Sequence, residues 1–355
     1  MSADPALDAL FVPLANGAVR LPLKRTLFLR ARLGEWLYAW PRERFLCEQT
    51  FKPFADSLAR AGAVIDGGDA TADALHEQPC FPLVLVLPPR QRDEARALLA
   101  DAVRRSAEGG IVIAAQANNE GAGAVSADLE RLVGPLQHLS KHKCRVVWTA
   151  VSKARIDQAI TDEWSALDAP RPILDGRLVS RPGLFAWDRI DPASAMLASL
   201  LPPSLAGRVA DLGAGYGYLS TEIIRRCPAV RSIDLYDAEH RALEPARLNV
   251  ARAIAESTRV ISTHALWHDV SAGLPQRYDA IVSNPPFHQG RVDQPELGQA
   301  FISAAATALE STGTFWMVAN RHLPYEATLS THFAVVRTVE VRNGFKVIEA
   351  REPRR

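Results

Sequence analysis

The sequence predicts an α/β fold built twice, each copy a mostly parallel sheet with helices on both faces. Three observations point to it. Strand and helix patterns alternate through the second half, a fainter version of that alternation runs through the first, and each half holds an apolar strand stopped by two prolines. Strands separated by helices need crossover connections, and crossovers cover both faces of a parallel sheet. The 355 residues suffice for about two domains.

In the first half, FPLVLVLPP (81–89) reads as a strand ended by its prolines, RQRDEARALLADAVRRSAE (90–108) as a helix, and GGIVIAAQANN (109–119) and CRVVWTAV (144–151) as strands. A Pro- and Arg-containing stretch at 168–191 separates the halves, and we place the boundary near 165–180, giving domains 1–165 and 166–355. The second half begins with strand RVADLG (208–213), helix YLSTEIIRRC (218–227), strand SIDLYD (232–237) and helix EHRALEPARLNVARA (239–253). A strand near 259–263, strand YDAIVSN (278–284), helix PELGQAFISAAATALE (295–310), strand GTFWMVAN (313–320) and strand GFKVIEARE (344–352) complete it.

The halves keep step. Pro88 and Pro285 lie 197 residues apart, Gly110 and Gly313 lie 203 apart, and Arg145 and Lys346 lie 201 apart, which implies an internal duplication. They differ where a ligand would sit. The first has LPPR where the second has NPPF, and its nearest Gly-rich stretch, DGGDATAD (66–73), has the wrong spacing. The first half is therefore expected to have lost its ligand site and to serve substrate recognition.

Composition is that of a globular protein, 48% hydrophobic and 23% charged with a net charge of +1, so any nucleic-acid partner must meet a local basic face. Cys47, Cys80, Cys144 and Cys227 form no CxxC pair and have no His at ligand spacing, so reduced thiols, a cytoplasmic location and no metal are expected. The start MSADPALDAL lacks a signal-peptide pattern, and the longest apolar run is too short to span a bilayer, so no membrane partner is expected.

The stretch VADLGAGYGYLS (209–220) sets an acid, Asp211, at the end of a strand and then Gly213, Gly215 and Gly217. Glycines permit a tight turn close to a ligand, and the next helix offers free N–H groups. The pattern DxGxGxG differs from the dinucleotide GxGxxG, and an acid there would repel a pyrophosphate but pair with an ammonium. One strand later, Asp237 can accept from ribose hydroxyls. A ribose plus a cationic amino-acid end fits S-adenosylmethionine; NAD fits less well. His264, expected to follow the third strand, stands where an adenine contact is often made, or is a surface histidine.

SNPPFH (283–288) answers to a different demand. An amine conjugated to a base is a poor nucleophile because its lone pair is delocalised into the ring. Acceptors that hold both N–H groups aim that lone pair at a methyl group, by orientation and electrostatics and without a metal. The Asn284 side-chain oxygen is one acceptor and the Pro285 carbonyl, fixed by Pro286, is another. Phe287 can stack on an extruded base.

DLGAGYG and NPPFHQG resemble the motifs of class I exocyclic-amine methyltransferases, and the His after NPPF resembles the guanine-N2 ribosomal RNA branch. SRPGLFAWDRIDPAS (180–194), VANRHLPYEATL (318–329) and FKVIEA (345–350) add to a likeness with the small subunit methyltransferase C family and its large-subunit sister, the G family. The resemblance is strong over 175–352 and diffuse over 1–165. It implies two tandem class I, Rossmann-like methyltransferase domains, the N-terminal one degenerate. It further implies S-adenosylmethionine as cofactor and transfer to guanine N2 in ribosomal RNA, 16S rRNA of the small subunit before 23S, by a monomer. Asp211, Gly213 and Gly215 would then bind the methionine part, Asp237 the ribose, and Asn284, Pro285, Pro286 and Phe287 the guanine. Ala214 and Tyr216 depart from the family's usual Cys and small residue, a change of packing more than of chemistry.

Basic runs at 20–32, 141–145 and 351–355 could meet phosphates, each being equally readable as a solvated face. RPGLFAW (181–187) could fold over cofactor and base, or supply core aromatics. N6-adenine or protein glutamine methylation also uses an NPPF/Y turn and stays open, as does a non-catalytic RNA-binding or assembly factor.

Overall fold

The computed structural model describes residues 4–66, 80–286, 288–289, 292–293 and 295–354. Phe287 and most of DGGDATAD lie outside the described residues. The chain forms two compact units, Met1–Ala169 and Pro170–Arg355.

In the first unit the strands are β1 (Thr26–Leu29), β2 (Phe45–Glu48), β3 (Val64–Asp66), β4 (Phe81–Val86), β5 (Ser106–Ala117), β6 (Gln137–Lys141) and β7 (Cys144–Ala150). They make one sheet in the order β3-β2-β1-β4-β5-β7-β6. Only the β5–β7 and β7–β6 pairings are antiparallel. A short hairpin, β8 (Arg171–Ile173) and β9 (Leu178–Ser180), opens the second unit.

The second sheet runs through β10 (Ala206–Leu212), β11 (Ala229–Asp237), β12 (Ser262–Trp267) and β13 (Tyr278–Ser283). After the small ribbon β14 (His288–Gln289) and β15 (Val292–Asp293) come β16 (Leu309–Asn320), β17 (Phe333–Arg342) and β18 (Phe345–Pro353). The order is β12-β11-β10-β13-β16-β18-β17, the first sheet's order repeated strand for strand. Equivalent strands match in detail. Ala117 faces Cys144 in one copy, Asn320 faces Phe345 in the other, and β5 and β16 bury the same positions along their length.

Each sheet carries a core on both faces. In the second unit, Val209, Ile233, Ala280, Val282 and Val347 pack against helices Pro192–Leu200, Tyr218–Arg226 and Leu243–Ser257. On the other face Leu212, Tyr236, Ile281, Phe315 and Ile348 meet helix Pro295–Ala308. These strands are nearly continuous apolar runs because no face of them meets water. Strand β17 escapes sequence reading because it is an edge, largely exposed, and lacks that apolar continuity. The helix expected over 90–108 ends at Arg105, where Ser106 already pairs with Phe81 as strand β5.

Candidate functional site

The parallel strands β10, β11 and β13 end together, and the loops that leave them form the site. Asp211, in register with Leu235 and Val282, is fully buried. Its Oδ2 accepts from the Ser220 hydroxyl at 2.7 Å, while Oδ1 is buried without a hydrogen-bond partner. Burial pushes its carboxyl up to about 7, against the hydrogen bonds from Ser220 and with a further push from the charge of Asp237. An unpartnered, desolvated carboxylate oxygen is costly unless a donor or cation comes to it.

The loop after Asp211 is wound by glycine. Gly213, Gly215 and Gly217 take φ of +73°, +55° and +81°. Gly213 and Ala214 donate their N–H groups to the Tyr236 carbonyl at 2.9 and 3.1 Å. Gly215 N–H donates to Asp237 Oδ2 at 2.7 Å, and the other Asp237 oxygen accepts from Glu239 N–H at 2.7 Å. Burial lifts the Asp237 carboxyl to about 6, these backbone donors opposing the rise. A side chain added at Gly215 would meet nothing within 4 Å, so the backbone there borders open space. At Gly217 it would meet the Cα of Ala246 at 3.2 Å, because the two flanking helices cross closely.

Asn284 follows β13 directly. Its Nδ2 donates to Asp191 Oδ2 at 3.0 Å and to the Ser194 hydroxyl at 2.8 Å. Both amide hydrogens are thereby committed, and Oδ1 is left as the acceptor. Ser283 ties the end of β13 to β10 by donating to the Leu212 carbonyl at 2.8 Å. A Cβ on Gly213 would lie 3.8 Å from the Asn284 carbonyl oxygen and 4.0 Å from Pro286 Cδ, so the glycine loop passes directly by the Asn-Pro-Pro turn. Pro285 is buried and Pro286 exposed.

Asp191 and Ser194 come from the stretch preceding the sheet. Asp191 caps the helix Pro192–Leu200 by accepting from Ser194 N–H at 2.8 Å. That stretch is tied down by three links: the Tyr216 hydroxyl donates to the Arg189 carbonyl at 2.8 Å, Arg241 donates to the Pro182 carbonyl at 2.6 Å, and Asn249 brackets Val179. Tyr216 therefore joins the glycine loop to the segment that orients Asn284. Phe185 in that segment is exposed, and Trp187 stacks beneath the Arg171 guanidinium.

Of the residues singled out in the sequence, Asp211, Gly213, Gly215, Asp237, Asn284, Pro285 and Pro286 converge at the ends of β10, β11 and β13. His264 does not. It lies within β12, opposite Asp234, whose carboxylate is 2.8 Å from its Nδ1. The strand runs on to Trp267, which pairs with Asp237, so the residues beside Asp237 are Trp267 and His268. The His268 N–H donates to the Asp237 carbonyl at 2.9 Å. The alternation STHALW carries that later strand end. Asp191 and Ser194 had no signal of their own, because their partner Asn284 is 93 and 90 residues away, and Ser220, nine residues after Asp211, reads as an ordinary helix position.

The first unit shows what the same frame looks like when the site is lost. By strand register, Phe28 takes the place of Asp211, Arg30 that of Gly213, Gln49 that of Asp237, and Leu87 that of Asn284. Arg30 even keeps the positive φ of Gly213, at +55°, and its guanidinium pairs with Glu94 at 2.6 Å. Gln49 accepts from Phe51 N–H at 2.8 Å, as Asp237 does from Glu239. Gln116 donates its side-chain amide to the carbonyls of Pro88 and Pro89, at 3.2 and 2.9 Å. The carbonyl matching that of Pro285 is thus already occupied by an amide of the chain itself.

Among the described residues, no cluster of His, Cys, Asp or Glu could hold a metal, and no helix is long and apolar enough to cross a membrane. The donor set suits S-adenosylmethionine. The orphaned oxygen of Asp211 matches an ammonium, Gly215 leaves room, and Asp237 presents a carboxylate at the strand end.

Residues 175–349 match the family model described as the methyltransferase small domain. A ribosomal RNA small subunit methyltransferase C from Pseudomonas paraeruginosa (strain DSM 24068 / PA7) is 31% identical over 274 residues, 76% of this chain and 79% of that protein. A ribosomal RNA large subunit methyltransferase G from Alcanivorax borkumensis is 34% identical over 182 residues, 51% of this chain and 45% of that one. With some other C-family relatives too, the matched stretch spans about half of the relative's length. The fold of a T. thermophilus 16S rRNA N2 methyltransferase, solved with AdoMet and guanosine, superimposes with a TM-score of 0.77 at 24% identity, covering 99% of this chain and 92% of that one. With the duplicated sheet order and the Asp211, Gly213 and Asn284 constellation in place, the chain belongs to the ribosomal RNA small subunit methyltransferase C family.

Proposed function

We propose that this protein transfers a methyl group from S-adenosylmethionine to the exocyclic N2 of a guanine in ribosomal RNA, with 16S rRNA of the small subunit as substrate. The observation that carries this reading is the Asn284 amide, whose two hydrogens are held by Asp191 and Ser194 so that Oδ1 is left as the acceptor, on a residue whose backbone carbonyl borders the glycine loop. A purine amino group presents two N–H bonds. Oδ1 of Asn284 takes one and the Pro285 carbonyl the other, which turns the amine's lone pair out of conjugation and fixes its direction. S-adenosylmethionine supplies the electrophilic methyl carbon of its sulfonium. Asp211, Gly213 and Gly215 hold its methionine end and Asp237 its ribose hydroxyls, and the adenine end falls to the β12 terminus at Trp267 and His268 rather than to His264. Once methylated, the weakly basic amine gives up its surplus proton to water.

Phe287 follows Asn284 and Pro286 in the chain and supplies the stacking face for the guanine. The first unit, in which Phe28 and Arg30 stand at the places of Asp211 and Gly213 and Gln116 engages the Pro88 carbonyl, serves to recognise the RNA. The protein works in the cytoplasm, as a monomer.

The test is to offer separated ribosomal subunits and their naked RNAs with methyl-labelled cofactor and digest the products to nucleosides. The expected product is N2-methylguanosine in 16S rRNA. The same nucleoside in 23S rRNA would move the substrate to the large subunit, as the likeness to a G-family relative allows. N6-methyladenosine, or label in protein glutamine, would overturn the reading.

A further inference from the structure

The duplication provides an internal comparison for one surface. In each unit the last two strands form a hairpin whose tip lies at the end of the sheet where the parallel strands finish. In the second unit that hairpin is β17–β18, and its arginines have acidic partners: Arg337 and Arg351 share Glu349, at 2.8 and 2.6 Å, and Arg342 pairs with Glu340 at 3.3 Å. In the first unit the hairpin is β6–β7. The stretch 131–156 that contains it holds Arg131, Lys141, Lys143, Arg145, Lys153 and Arg155 and no Asp or Glu. Lys141, Lys143 and Arg145 are exposed, and among the described residues none has an acidic partner. Strand β6 is also the sheet's edge, so its outer N–H groups face solvent.

The turns differ as well. Both hairpins close through two residues with positive φ, the geometry of the tight primed turns. The second unit uses Asn343 and Gly344, at +52° and +82°, the pair such a turn favours. The first unit uses His142 and Lys143, at +54° and +58°; histidine visits this region more readily than most residues, whereas the lysine side chain resists it. A strained, cationic turn held where Asn-Gly would be relaxed is a local sacrifice of stability, and such outliers gather at functional surfaces.

We infer that the β6–β7 hairpin of the first unit, through Lys141, Lys143 and Arg145, is a binding surface for the phosphate backbone of the substrate RNA. The inference rests on the reading of RNA as the substrate. Asp4, Asp8 and Glu120 act on Cys144 within the same hairpin but, among the described residues, pair with none of the three cations, and an anionic polymer is what such exposed Lys and Arg side chains attract, with affinity that falls as salt displaces it.

Full-length protein and its Lys141→Ala/Lys143→Ala/Arg145→Ala variant are compared by filter binding to transcribed 16S rRNA across a salt series. Three lost phosphate contacts lower the slope of log K against log salt by roughly 2 to 3 and weaken binding at least about tenfold at low salt. A second variant, His142→Asn/Lys143→Gly, relaxes the turn, so its Tm rises while its RNA affinity falls. Equal slopes and affinities for wild type and triple variant would overturn the inference. So would a raised Tm in the turn variant with unchanged RNA affinity, no rRNA binding by the wild type, or a loss confined to assembled subunits, which would indicate a protein contact. The readout is binding, so rRNA bound through the hairpin without N2-methylguanosine formed would sink the functional reading and leave this one standing.

Discussion

Asp191 accepts a hydrogen bond from the Asn284 side-chain amide at 3.0 Å, although 93 residues separate them in the chain. With Ser194 at 2.8 Å it decides which way the amide faces, and therefore that the oxygen rather than the NH2 is left unengaged as an acceptor. Ser194→Ala removes one of the two restraints and is expected to lower kcat about threefold to tenfold, the loss of a hydrogen bond worth about 1 kcal/mol. Cofactor affinity should stay near that of the wild type. Steady-state kinetics with calorimetry of cofactor binding check it. Asp191→Ala should cost more kcat and, because Asp191 also caps a helix, about 1 kcal/mol of stability.

The buried carboxyl of Asp211 makes both stability and ligand binding depend on pH. Its folded value near 7 lies above its ordinary value of 3.8, so the folded protein holds the proton more tightly than the unfolded chain. The resulting stabilisation is complete below about pH 4 and disappears as pH rises through 7. In the unliganded protein, Asp211→Asn should therefore raise Tm relative to wild type at pH 8 and leave it nearly unchanged at pH 4. A cation favours the ionised carboxyl, so cofactor affinity of the wild type should strengthen from pH 5 to pH 8 with proton release. In Asp211→Asn it should be weak and lack that proton-linked rise. Calorimetry in buffers of different ionisation enthalpy measures the proton.

Gly215 and Gly217 should separate under substitution. Gly215→Ala introduces only the strain of a positive φ, about 1 kcal/mol, since open space surrounds it. Gly217→Ala adds contact with the Ala246 backbone at 3.2 Å and should lower Tm further. Thermal melts of the two variants without ligand rank them.

How far the sequence speaks follows from what each feature depends on. The strand–helix order was readable because buried parallel strands are nearly continuous apolar runs, as at residues 280–282 and 315–319. The two ligand loops were readable because Gly213, Gly215, Pro285 and Pro286 impose backbone shapes few other residues can adopt. The end of β12 was placed several residues early, since an edge strand with Thr263, His264 and Trp267 mixes polar and apolar positions, and His264 moved with it from the strand end to its middle. The roles of Asp191, Ser194 and Ser220 were silent: an Asp followed three residues later by a Ser reads as a helix cap, which it also is, and only the folded chain brings it to Asn284. The departure at Tyr216 proved informative for packing, since its hydroxyl holds the Arg189 carbonyl.

One cofactor per chain is expected, not two, despite two sheets of one topology. Phe28 and Arg30 occupy the places of Asp211 and Gly213, and Gln116 already hydrogen-bonds the Pro88 and Pro89 carbonyls. Gln116→Ala should reduce stability by about 1–3 kcal/mol through buried unpaired carbonyls while leaving stoichiometry and affinity for cofactor unchanged. Titration calorimetry gives the number of sites.

The central claim is that Asn284 Oδ1 grips the exocyclic amine of a guanine. Methylation of 16S rRNA by wild type and by Asn284→Ala, with nucleosides resolved and cofactor affinity measured in parallel, tests it most directly. The account predicts N2-methylguanosine from the wild type and at least about a hundredfold lower kcat from the variant at nearly unchanged cofactor affinity. Wild-type turnover by Asn284→Ala, or a different methylated nucleoside, would contradict it.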